Sequence, residues 1–534
     1  MKKVIAILLA LTMVLSGCSY AASGRAQTKQ KIKDSVEAPL GETAVEVEDG
    51  SAAGEESTEC ESAERFMQNV TAGWNLGCAL SVFAEETLDG WGVMAYFLTP
   101  DGIYSRSDVA SFDQESKMAE ISWALSGNGV LQAPDGAQID GIGIEIWNFS
   151  LGEKDIFTYA IDDLYYVTAD GEIRLEEATG QYETDMGGGT GGGIVADLNN
   201  PMVTDVLEIH AKVTYLESRK GEATAQSITQ SEVAWGNPVT TEEMIQAVRD
   251  RGFNLIRVQV SWLNHMDAAG NIEPLWLERV AEVIDYCMDA GVYCMLNTTG
   301  AGWLKAERET FAEQSAVYTR LWEQIAARFA DYNQLLLFES CNEVLNAAGM
   351  WWDPPVESYE VMNELYQLFV NTVRTSGGWN ETRNLVLNPY AATFDYDMNQ
   401  NFRLPEDPAS NHLIAQVHCY VPNAFCMNEI NLGSTNFKDS WGSDADKAEL
   451  DEIMKKIKAR FTDELGIPVL IGEFGTVNRV SEDMRAEYVR YYAQAAEKYG
   501  IKVVIFDDGG DFAVFDRKTC TWPYEKIIEA VLLE

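Results

Sequence analysis

From Val233 to the end of the chain, short apolar runs alternate with longer stretches whose apolar residues recur at helical spacing. No other feature limits the fold as strongly, because strands separated by amphipathic helices pack as parallel βαβ units. Seven runs read as strands: Phe253–Val260, Val292–Asn297, Gln334–Glu339, Asn384–Leu387, His412–Val417, Pro468–Glu473 and Ile501–Asp507. An eighth, Val70–Leu76, lies far earlier. Helical patterns fall at Thr241–Arg251, Pro274–Ala290, Gln314–Ala330, Ser358–Ser376, Asp444–Leu465, Ser481–Tyr499 and Tyr524–Leu533. The pattern predicts an α/β fold, a (β/α)8 TIM barrel over residues 65–81 and 231–534.

Residues 82–230 interrupt that pattern. Leu207, Ile209, Ala211, Val213 and Tyr215 alternate with polar residues, as do Ile142, Ile144 and Ile146, and Asp155–Thr168 with Gly171–Glu176 suggests a hairpin. Period-two alternation between turn residues predicts a β-sandwich inserted in the first βα loop, on the face where such barrels keep their active sites. A carbohydrate-binding role is the expectation for this insert, with Trp123 and Trp147 as candidate stacking rings; at strand positions the same rings serve a core. The run Gly187–Gly193 lacks the Lys-Ser/Thr ending of a phosphate loop and reads as a hairpin connection.

Residues 1–23 read as an export signal, with Lys2 and Lys3 before an apolar core, Val4–Leu15, too short to span a bilayer. Leu15-Ser16-Gly17-Cys18 resembles a bacterial lipobox, which implies lipidation of Cys18 and an extracellular protein anchored to the outer face of the cell membrane. From Asp34 to Glu64 there are eleven acidic residues and no Lys or Arg, so 24–64 reads as a tether. The chain carries 39 basic and 84 acidic residues, a net charge of −45, which repels phosphate backbones and argues against nucleic acid. Uncharged glycans remain compatible partners. A monomer is expected, with membrane contact only through the lipid.

Four scattered histidines and nine cysteines without a Cys-x-x-Cys pair predict no metal and no cofactor. Cys287, Cys294 and Cys341 fall in apolar runs as buried thiols, while Cys419 and Cys426 could bridge a loop. There is no Gly-x-Ser-x-Gly elbow, His-Glu-x-x-His motif or Walker loop.

Chemistry in a (β/α)8 barrel stands at the C-terminal strand ends. The polar residues there are Asn75, Arg257, Asn342, Glu343, His418, Tyr420 and Glu473. Glu343 alone would read equally as a capping or solvated glutamate; Glu473 gives it a partner. Two carboxyls about 5 Å apart are what a retaining glycosidase needs, one protonated as acid and one ionised to attack the anomeric carbon. Arg257 beside a carboxylate would keep it charged. Trp262, Trp303, Trp351, Trp352, Tyr390 and Trp441 are candidate rings of a sugar-stacking cleft.

The segments Ala72-Gly73-Trp74-Asn75-Leu76-Gly77, Gly252-Phe253-Asn254-Leu255-Ile256-Arg257-Val258, Phe338-Glu339-Ser340-Cys341-Asn342-Glu343, Val417-His418-Cys419-Tyr420-Val421-Pro422 and Ile471-Gly472-Glu473-Phe474-Gly475 together resemble glycoside hydrolase family 5. The likeness is to its bacterial endo-β-1,4-glucanases, the cellulases, xyloglucanases and lichenases. It implies Glu343 as acid/base and Glu473 as nucleophile, with Arg257, Asn342, His418 and Tyr420 in support; Asn75 by its strand end, Trp303 as a cleft ring and Phe506 as a stacking ring are expected on the substrate side. Asn342 would bond the sugar 2-hydroxyl. Three positions depart from the family pattern: Thr299-Gly300 stands where a His pair is usual, Phe506 where a Trp lies under the sugar, and Cys78 where an Asn is common. The resemblance therefore leaves three readings: a β-1,4-glucan hydrolase, a catalytically weakened glycan-binding relative, or a hydrolase shifted to another glycan such as mannan.

Overall fold

A computed structural model describes residues 60–534 apart from 82–90, 100–101, 108, 114, 125–140, 149–154, 186–190, 198–205, 221–222, 234, 268, 300–302 and 429–435. Cys18, the signal, most of the tether and Gly300 lie outside the described residues. The chain divides into two compact units, Phe83–Ala234 and the remainder.

In the larger unit eight parallel strands close on themselves: Gly73–Leu76, Leu255–Ser261, Tyr293–Thr299, Leu336–Glu339, Leu385–Leu387, Leu413–His418, Val469–Phe474 and Lys502–Asp507. The first pairs with the second and with the eighth, so no edge remains. The helices Glu242–Arg251, Pro274–Ala290, Arg308–Arg328, Val356–Arg374, Asp444–Lys458, Glu482–Lys498 and Glu525–Val531 occupy the expected connections. Helix Arg308–Arg328 begins six residues before the expected Gln314; its first residues are polar and Glu307 makes no side-chain cap, so the sequence carries no start signal there. Between the fifth and sixth strands the described residues hold two 3-10 turns, Tyr390–Ala392 and Met398–Asn401, instead of an α-helix.

Side-chain alternation stacks the barrel interior in layers. Leu255, Met295, Leu337, Val386, Ile414, Leu470 and Val504, one from each of strands two to eight, form an apolar floor that Phe66 and Met67 of helix Ala63–Asn69 plug from below. Two residues further along several strands the inward positions turn polar: Asn75, Arg257, Asn297, Glu339, Asn388 and Gln416, all buried. The seventh strand breaks step, with register shifts between Val417 and His418 and between Ile471 and Phe474. Such a bulge re-aims a side chain, and here it brings Glu473 level with His418. Gly472 makes room inside, since a Cβ there would lie 2.1 Å from Cδ of Gln416.

The unit Phe83–Ala234 holds two antiparallel sheets. One is built on Trp91–Thr99, Gly141–Asn148 and Gly191–Asp197, the other on Met118–Ala124, Asp155–Thr168 and Glu208–Lys220. Ile142, Ile144 and Ile146 of the first share one core with Phe157, Tyr159, Ile209 and Val213 of the second. Trp123 is half-buried against that core, and the side chain of Trp147 lies outside the described residues.

Candidate active site

Glu473 ends the seventh strand, buried, with three donors on its carboxylate. Arg257 Nη1 reaches Oε1 at 2.6 Å, Gln259 Nε2 reaches the same oxygen at 2.8 Å, and the Tyr420 hydroxyl donates to Oε2 at 3.0 Å. Burial alone would raise its pKa. The charges of His418 and Arg257, with the Arg257 and Tyr420 hydrogen bonds, outweigh that and hold it below the usual glutamate range. Tyr420, withdrawn from water and facing Glu473 and Glu343, is pushed well above its ordinary value and stays a neutral donor.

Glu343 lies just past the fourth strand with 16% of its side chain exposed. His418 Nδ1 bonds its Oε1 at 2.6 Å and lies 3.6 Å from Glu473 Oε2. One atom each of Glu343, His418 and Glu473 fall within 4.8 Å of one another, so the two carboxylates converge on a single imidazole. His418 Nε2 is buried without a partner.

Arg257 spends most of its guanidinium elsewhere. Nε and Nη2 clasp Glu339 at 2.7 Å each, and Nη2 also reaches Asn342 Oδ1 at 2.8 Å. Burial would lower its pKa, but Glu339 and Glu473 drive it up, so the cation persists. Glu339 is fully buried; its Oε1 accepts from Asn297 and Gln416 at 2.7 Å and from Asn388 at 2.9 Å besides Arg257. Arg257 therefore supports the acidic cluster through two carboxylates, where a single partner was expected. A carboxylate inside a barrel must be paired, and Glu339, two residues after Leu337 on the inward face, carried that signal in its spacing. Gln259, Asn297, Asn388 and Gln416 gave no sign, since the sequence does not say which amides converge.

Asn75 faces the same layer in register with Arg257 and Phe506, and both its polar side-chain atoms are buried without a partner. Phe506 is half-buried, its ring edge-on to Tyr420 at 6.4 Å and to Phe512 at 5.4 Å. Thr299 is half-buried at the end of the third strand, and Trp303 is half-buried beyond it. Among the described residues Trp303 enters none of the hydrogen bonds that join the carboxylates. Three expected cleft rings belong to the interior instead. Trp262 and Tyr390 are buried, and Trp441 packs against Tyr488 and Tyr491. Trp352 is the ring that stays open, 55% exposed and edge-on to Phe394. Cys419 and Cys426 are buried free thiols, so the bridge considered for them does not form.

With this geometry in hand, the relatives are informative. The model of the cellulase family, glycosyl hydrolase family 5, matches residues 218–511, more than half of the chain. The chain belongs to this family. Endoglucanase A of Clostridium longisporum is 35% identical over 318 residues, covering 56% of this chain and 59% of that protein. Endoglucanase B of Clostridium cellulovorans is 32% identical over 376 residues, covering 68% of this chain and 83% of the relative. This family member thus spans less than two thirds of the first relative's length. Among solved structures, a GH5-4 broad specificity endoglucanase from Ruminococcus champanellensis with bound cellotriose superposes with a TM-score of 0.54 at 33% identity, covering 58% of this chain and 92% of that one.

Proposed function

We propose that this family 5 member is a retaining hydrolase of β-1,4-linked glucans. One observation carries the reading: Glu343 and Glu473 offer oxygens within 4.8 Å of each other around His418. That separation suits direct attack by one carboxylate, whereas inversion needs roughly 6.5–9.5 Å to seat a water between them. Glu473 has the held-down pKa of a nucleophile.

In the first step Glu473 Oε2 bonds the anomeric carbon while the glycosidic C–O bond breaks, and the departing oxygen takes the proton of Glu343. In the second, Glu343 takes a proton from water, the water oxygen bonds the anomeric carbon, and the Glu473 ester bond breaks to return the carboxylate. Tyr420 and Arg257 hold Glu473 through both steps. Asn342 has its Oδ1 committed to Arg257, which leaves its amide N–H groups for the sugar 2-hydroxyl. Phe506 offers a stacking face smaller than a tryptophan's.

Cellulose, xyloglucan and mixed-linkage glucan are the candidate substrates, after relatives named as endoglucanases and a lichenase. A second reading rests on Thr299 and Phe506: fewer contacts at the cleavage point would give a slow enzyme or a glycan-binding protein, or redirect it to a mannan. We read Phe83–Ala234 as an inserted, carbohydrate-binding β-sandwich on fold class and chain position. The chain is read as an exported lipoprotein monomer through Cys18. Among the described residues no helix is long and apolar enough to cross a membrane.

The test is a 2-fluoro-β-cellobiosyl trap followed by peptide mapping. The label is expected on Glu473, and soluble β-glucans are expected to be cut. A label elsewhere overturns the mechanism. Binding of glucans without product, unchanged in Glu473→Gln, overturns the activity in favour of the binding reading.

A further inference from the structure

The Arg257 guanidinium is divided between two carboxylates. Two of its three nitrogens grip Glu339, and a single one, Nη1, reaches Glu473. That one contact holds Oε1 from a single direction, while the Tyr420 hydroxyl bonds the other oxygen. Gln259 supplies the second contact to Oε1. It follows Arg257 by two residues on the second strand, so it points to the same interior face, and it is 6% exposed. Its Nε2 donates to Glu473 Oε1 at 2.8 Å and approaches Asn342 Oδ1 at 3.4 Å.

We propose that Gln259 is a positioning residue for hydrolysis, which fixes the plane of the Glu473 carboxylate and leaves Oε2 as the attacking oxygen. The proposal rests on Glu473 being the nucleophile. Oε1 is pinned from two directions, by Arg257 and Gln259, so rotation loses both bonds together. Oε2 meets the Tyr420 hydroxyl alone at hydrogen-bond distance. An amide does this without adding charge, which matters in a cluster where Arg257 on the second strand, His418 and Tyr420 from the sixth, Glu343 beyond His418 and Glu339 behind Arg257 already face or flank Glu473. Through Asn342, the same side chain ties the nucleophile to the group that would meet the sugar 2-hydroxyl.

Two variants of the full chain test this, assayed with 2,4-dinitrophenyl β-cellobioside and its 2-deoxy-2-fluoro analogue as the trap. Gln259→Met keeps the length and removes the N–H donor. Its rate of trapping is expected to fall roughly ten- to a hundredfold, the usual weight of a hydrogen bond to a charged group, with little change in the half-saturating concentration. The acid limb of its pH profile moves up, because Glu473 loses a donor to its ionised form. Gln259→Glu keeps the shape; its acid form can donate the same bond and its ionised form repels Glu473. Activity then survives on the acid side and is lost on the alkaline side earlier than in the unchanged protein. If the trap labels Glu473 but Gln259→Met reacts at the unchanged rate, the positioning role is wrong and the nucleophile stands. A label elsewhere removes the nucleophile and this role with it. Should Gln259→Met fail to fold, the Gln259→Glu profile decides: an early alkaline loss supports the role, and an unshifted profile overturns it.

Discussion

Glu339 and Glu343 leave the same strand four residues apart and meet opposite fates. Glu339 is fully buried, and Arg257, Asn297, Asn388 and Gln416 direct five N–H bonds to its two oxygens. Glu343 is partly open and has one close partner, His418. A buried carboxylate bound by five N–H groups cannot exchange a proton without breaking its surroundings, whereas one with a single close partner and access to solvent can. On the proposed function, residue type does not separate support from chemistry in this barrel; unspent hydrogen-bonding capacity does. Glu473 stands between these extremes, buried like Glu339 yet with Oε2 lightly held.

The largest expected effect tests the reactive side of that contrast. Glu473→Gln should lower kcat by about 10⁴-fold or more while the melting temperature holds, since the amide keeps the shape. A collapse of the fold with this change would place Glu473 with Glu339 and break the contrast. Next, Glu339→Gln should cost about 3 kcal/mol in urea unfolding, because Arg257 loses its paired charge inside the barrel. Full stability with abolished hydrolysis would make Glu339 a reactive group after all. A smaller effect is expected from Gly472→Ala, whose new methyl would push Gln416 away from Glu339 at roughly 1–3 kcal/mol. An unchanged unfolding midpoint would show that the amide ring around Glu339 is loosely held.

The pH profile sharpens the comparison last. Glu473 has a depressed pKa, so it stays ionised as pH falls through the ordinary glutamate range, and the acid limb of kcat/KM should lie below 4.5. The sign for stability is the same: what the ionised, paired group contributes is present above that ordinary value and fades as pH drops through the depressed one. An acid limb above 4.5 would mean that burial outweighs His418 and Arg257.

Much of this was legible beforehand. Strand and helix periods announced eight barrel strands, and the positions of Asn342, Glu343, His418, Tyr420 and Glu473 at or just past strand ends followed from them; Arg257, expected at such an end, stands third in the strand Leu255–Ser261. The roll of aromatic rings did not follow, because Trp262, Tyr390 and Trp441 look in sequence like any cleft ring, and burial is decided by helices packing from far along the chain.

What the sequence determined by itself is the barrel, through periodicity, and the residue types at its mouth, through their spacing from each apolar run. Only the tertiary structure decided which of them meet. A bulge in the seventh strand brings Glu473 to His418, and Arg257 divides itself between two glutamates. Gln259 reaches Glu473 across 214 residues of chain. The physical reason is that hydrogen bonds are short and directional: angstrom-scale shifts in register choose the partners, and local sequence patterns do not encode such shifts.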